Sequence, residues 1–63
     1  MVKVIYKIDV PFGSGEIEVY GESDMGWYEW RVVQDGKVLR DTKDQGYGSP
    51  GIALRDALIA VTE

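Results

Sequence analysis

Residues 27–40 read Trp27-Tyr28-Glu29-Trp30-Arg31-Val32-Val33-Gln34-Asp35-Gly36-Lys37-Val38-Leu39-Arg40. Two runs rich in aromatic and β-branched residues, the types that strands favour, flank Asp35-Gly36. A two-residue Asp-Gly loop between apolar runs marks a tight hairpin, because both of its positions need positive φ. Such a loop sets the register. It predicts Gln34 opposite Lys37, Val33 opposite Val38, Val32 opposite Leu39 and Arg31 opposite Arg40. Tyr28, Trp30, Val32 and Leu39 are then expected on the core face. Trp27, Glu29, Arg31, Val33, Val38 and Arg40 are expected on the other.

Downstream, Asp41 to Gly48 is a polar, glycine-containing connector. Ser49 suits a helix N-cap and Pro50 the first helical position. From Ile52 the apolar spacing turns helical, with Leu54, Ala57, Leu58 and Val61 on one stripe and Ile52 and Ile59 roughly opposite. Residues 46–51, Gly46-Tyr47-Gly48-Ser49-Pro50-Gly51, also match the G-x-G-x-x-G fingerprint of dinucleotide sites. That fingerprint requires a second strand beyond the helix and an acid about 20 residues on. Only twelve residues follow Gly51 in this sequence, so the segment is expected to be a glycine-rich helix start and no cofactor is expected.

Upstream, Val2, Val4, Tyr6, Ile8 and Val10 alternate with Lys3, Ile5, Lys7 and Asp9, the period of a strand with one buried face. Pro11-Phe12-Gly13-Ser14-Gly15 interrupts it. Glu16 to Tyr20 forms the next strand, with Ile17 and Val19 inward, and Gly21 to Gly26 is a polar connection. The expected fold is α+β: a four-stranded antiparallel sheet in ββββα order, with one C-terminal helix on one face. The first strand is a predicted sheet edge, with Lys3 and Lys7 guarding it against edge-to-edge pairing.

The 63 residues, with no cysteine and no histidine, point to one small domain without disulfides or a thiolate metal site. Lacking histidine, Ser14, Ser23 and Ser49 have no imidazole to activate them. Glu16 and Glu18 read as a wet strand face, and Asp41 and Asp44 lack metal-loop spacing. No catalytic or metal-binding residue is assigned, and the protein is expected not to be an enzyme. The N-terminus has no continuous apolar run, so neither a signal peptide nor a membrane span is expected, and the location is expected to be cytoplasmic. Eleven acidic and seven basic residues give a net charge of −4, which favours solubility and disfavours phosphate-driven nucleic-acid binding.

A helix covers one sheet face and leaves the other to water or a partner. Ile5, Tyr20, Trp27, Val33 and Val38 place more apolar area on that open face than wetting needs, and Arg31 and Arg40 add two guanidinium groups. Tryptophan, tyrosine and arginine dominate binding hot spots. Ile5, Tyr20, Trp27, Arg31, Val33, Val38 and Arg40 are therefore the candidate interface, for a protein partner or a second copy. The alternative is a nucleic-acid module that stacks a base on Trp27 beside Arg31 and Arg40.

Residues Tyr28 to Leu39, then Gly46-Tyr47-Gly48-Ser49 and the helix through Ala60-Val61, resemble the YegP-like family of small bacterial proteins of uncharacterised function. The match spans about half of the 63 residues. The resemblance implies that two such units pair, which for this chain means a homodimer. It carries over no catalytic or binding residue. The N-terminal strand and the Pro11–Gly15 turn fall outside the family pattern. A looser strand–hairpin–helix similarity links the chain to the DNA-binding domains at integrase N-termini, which are typically basic, whereas this chain is acidic.

Overall fold

Four strands and one helix follow one another along the chain: β1 (Lys3–Asp9), β2 (Glu16–Glu22), β3 (Trp27–Gln34), β4 (Lys37–Asp41) and α1 (Pro50–Thr62). A computed structural model describes residues 2–42 and 45–62; the connector residue Asp44 lies outside that range. The sheet is antiparallel in the order β1-β2-β3-β4, with α1 packed on one face, mainly over β2 and β3. The predicted α+β architecture is the observed one.

Local chemistry accounts for the elements. Asp35 (φ 52°) and Gly36 (φ 78°) both adopt the left-handed conformation that a two-residue hairpin loop demands. Ser49 caps α1: its carbonyl accepts from the Ala53 N–H at 3.1 Å and its Oγ lies 3.5 Å from the Ile52 nitrogen. The fingerprint-like segment is thus the junction between sheet and helix. Gly21, in β2 opposite Tyr28, is required by proximity. A Cβ there would collide with the Trp27 carbonyl oxygen and the Tyr28 ring.

The core lies between the middle of the sheet and the helix. Ile17, Val19, Trp30 and Val32 from the sheet meet Ala53 and Ala57 from α1. Two alanines at i, i+4 let the helix backbone approach the sheet closely, and Leu54, Leu58 and Val61 fill in around them. Ile52 and Ile59 point to solvent.

Two β-bulges revise the predicted faces. In β1 the register shifts between Val4 and Tyr6, leaving Ile5 as the extra residue. Val4 then pairs with Tyr20, on the open face, while Tyr6 pairs with Val19 and Ile8 with Ile17, on the helix face. The strict alternation from Val2 to Val10 therefore fails at Ile5. In β4, Val38 pairs with Val33, but Val32 pairs with Arg40 and Arg31 with Asp41, so Leu39 is extra. The expected pairs Val32–Leu39 and Arg31–Arg40 do not form, and Leu39 is 55% exposed, outside the core. A bulge opposes two residues to one, so side chains on its two sides no longer follow a single alternation: Arg40 and Asp41 change face after Leu39, and Val4 before Ile5.

Candidate functional site

The open face is built around Tyr20. Its hydroxyl donates to Asp41 Oδ1 at 2.6 Å, a bond made possible because the β4 bulge brings Asp41 opposite Arg31. The Trp27 ring meets the Tyr20 ring edge-on, 6.2 Å between centroids with the planes at 74°. The Arg31 guanidinium lies 4.6 Å over the same ring, within cation–π range. Arg31 Nε also donates to Glu18 Oε1 at 2.7 Å, and Lys7 Nζ sits 3.9 Å from Glu18 and 3.7 Å from Glu16. Burial of Tyr20, followed by its bond to Asp41, raises the phenol well above the usual tyrosine range.

Beside this cluster, Glu29 is 0% exposed. Alternation places its side chain on the open face, but the chain after β4 closes over it. The Thr42 hydroxyl donates to one carboxylate oxygen and the Gly46 N–H to the other, each at 2.8 Å. The segment is held along β3 by paired backbone bonds between Tyr28 and Tyr47, at 3.0 and 2.9 Å. Glu29, expected simply on the open face, is thus a buried anchor for the connector.

The structure brings together Tyr20, Trp27 and Arg31 of the predicted interface. Val33 and Val38 pair on the same face, with Val38 exposed and Val33 half-buried. Ile5 occupies the β1 bulge at the sheet edge. Tyr20 is only 9% exposed, so it supports the face rather than projecting from it. Arg40 is a correction. The Leu39 bulge turns it to the helix side, where its guanidinium lies 5.5 Å over the Trp30 ring and Nη1 is 3.4 Å from the Ala60 carbonyl. There it supplies positive charge to the C-terminal turn of α1, which has no basic residue of its own.

Sequence reasoning missed Val4 and Asp41. The implausible Arg31–Arg40 pairing was the available signal for Asp41, since like charges directly across strands are unfavourable and a bulge relieves them. Nothing comparable marked Val4.

Among the described residues, no group of three or more acidic side chains is arranged to hold a metal ion. Nor is any helix long and apolar enough to cross a membrane. A shallow groove of about 400 Å³ runs along the β4 edge, lined by Val38, Leu39, Arg40 and Asp41.

No family model, curated protein or solved structure matches the chain.

Proposed function

We propose that this chain is a non-enzymatic binding module that engages a protein through its open sheet face. The observation that carries this reading is the Trp27–Tyr20–Arg31 cluster. A half-buried indole stands edge-on against a rigidly bonded tyrosine, with a guanidinium beside it, on the face opposite the helix. Tyr20 is fixed by Asp41 and Arg31 by Glu18, so the aromatic surface is preorganised and little side-chain entropy is lost on binding. Val4, paired with Tyr20, adds exposed apolar area beside it, and Val38 lies farther along the same face, opposite Val33. The resemblance to the YegP-like family, whose units pair, favours a partner of protein character, with a second copy of the chain among the candidates.

The nucleic-acid alternative is the weaker reading. It needed Trp27, Arg31 and Arg40 on one surface, and Arg40 lies on the helix side while Arg31 is neutralised by Glu18. A net charge of −4 adds a general repulsion toward phosphate.

The experiment compares the chain with Trp27→Ala as immobilised baits in an extract of its native host. Circular dichroism on both confirms an intact fold. The reading expects a protein retained by the parent chain and lost from the variant; identical retained sets would overturn it. Titration with single-stranded and duplex oligonucleotides at low salt separates the alternative, for which saturable binding is required.

A further inference from the structure

β1 is an edge of the sheet, and its residues from Lys3 to Lys7 are exposed on both faces. The bulge at Ile5 breaks the N-terminal half of this edge, whereas from Tyr6 to Asp9 the pairing with β2 is regular. The direction of the backbone groups in that regular half follows from bonds at either side of the sheet. The Val10 N–H donates to the Gly15 carbonyl at 3.1 Å, so the backbone groups of Val10 point toward β2. Alternation in an antiparallel ladder then turns those of Ile8 and Tyr6 toward β2 as well, and those of Lys7 and Asp9 outward. The far side of the sheet gives the same phase. Tyr28 and Tyr47 exchange both backbone bonds, which directs Glu29 and Arg31 toward β2 and leaves Val19 and Ile17 facing Tyr6 and Ile8.

We propose that a second copy of the chain pairs antiparallel along this edge, about a twofold axis through Ile8, so that Lys7 lies opposite the partner's Asp9. The occupant and the register both follow from charge: Lys7, expected to guard this edge against pairing, instead meets an opposite charge across it when the partner is a second copy. Outward backbone groups must meet outward backbone groups, so Lys7 and Asp9 are the residues to be matched. Registers centred on Lys7 or on Asp9 set like charges directly across, which is unfavourable. The register centred on Ile8 sets opposite charges across at both positions. It also answers an imbalance within one chain. Asp9 lies directly across from Glu16, and Lys7 already serves both Glu16 and Glu18 at 3.7 and 3.9 Å. The partner's Lys7 brings a second cation to this acidic strip.

The contact has natural limits. Beyond Asp9 the next outward position is Pro11, which has no N–H to donate. In this register Pro11 meets the bulged residue 5 of the other chain, so the ladder stops there in both directions. A short ladder means a reversible dimer. The twofold axis stands perpendicular to the sheet, so both helices lie on one side and both open faces on the other. The edge uses backbone groups of β1 and is separate from the open-face reading, which depends on Trp27.

Sedimentation equilibrium on the full chain tests this with Lys7→Asp, Asp9→Lys and the double exchange. The parent chain is expected to dimerise with concentration. Each single change should weaken dimerisation about tenfold, since it places like charges across at both symmetric positions. The double exchange should restore it. A parent chain that stays monomeric, or single variants that dimerise as well as the parent, would overturn the proposal. Because Lys7 also has partners within its own chain, a second variant leaves charge untouched. A synthetic chain N-methylated at the Asp9 amide should fold normally and fail to dimerise; normal dimerisation would overturn the proposal. Trp27→Ala should leave dimerisation intact. If it alone dissociates the dimer, the copies meet through the open face and the edge proposal fails while the open-face reading stands.

Discussion

Tyr20 shows how one side chain can tie a face together. Its phenol is held by Asp41, lies under Arg31 and meets Trp27. Burial and Asp41 both oppose its ionisation, so the folded chain keeps this proton where the unfolded chain has lost it. The stability that Tyr20 contributes is fully present below pH about 10, the ordinary tyrosine value. Above it the folded state binds more protons than the unfolded one, and stability falls by about 1.4 kcal/mol per pH unit. Urea denaturation at stepped alkaline pH should show this decline. Tyr20→Phe should flatten it while losing about 1 kcal/mol near neutrality with the hydrogen bond. At this scale the sequence was legible only where turn or cap chemistry is local, as at Asp35-Gly36 and Ser49. Glu29 was not legible, because its burial depends on where Thr42 and Gly46 arrive from a connector with no pattern of its own.

Among the elements, the strands and the helix followed from periodicity, and the two faces of the sheet did so only in part. A two-residue loop transmits its register until a bulge intervenes, and Leu39 is as apolar as its neighbours, so hydropathy does not mark it as extra. Its effect is large. It removes Arg40 from the open face to the end of α1 and puts Asp41 within reach of Tyr20. The Ile5 bulge works the other way, carrying Val4 from the expected core face to the open face. The centre of the sheet has the opposite character, with unbroken pairing between β2 and β3. Gly21 marks how closely they meet beside Trp27. Gly21→Ala is expected to destabilise by about 1–3 kcal/mol, as overpacking does. It should also disturb the Tyr20–Trp27 geometry, visible in near-ultraviolet circular dichroism. A neutral result would show that β3 can move away at no cost.

Over the whole molecule, one helix is narrower than the sheet it covers. α1 sits mainly on β2 and β3, and the edge strands overhang it, leaving Tyr6 exposed on the helix side of β1 and Leu39 exposed in β4. The core is correspondingly lean, with two alanines as the fully buried contribution of the helix. So small a core leaves a thin stability margin, and association is a common remedy. The layered α+β arrangement could be read from the order of periodicities. The overhang could not, because helix placement across a sheet depends on where the alanines allow close approach.

At the far tip of β1, Phe12 is fully exposed and held at φ 58°, in a turn fastened by bonds from Val10 to Gly15 and from Gly13 to Val10. An aromatic ring displayed on a turn is an invitation to chymotrypsin. Brief digestion of the native chain should cut first after Phe12, releasing nothing until the nicked product is denatured, as mass spectrometry before and after urea would show. Early cleavage at Met25 or Leu39 instead would mean that the other exposed positions open more readily. A single nick at Phe12 divides the molecule at the joint between its first strand and the remainder. β1 would then be held by its ladder and side chains alone, and its rate of escape would measure directly how firmly the edge is attached.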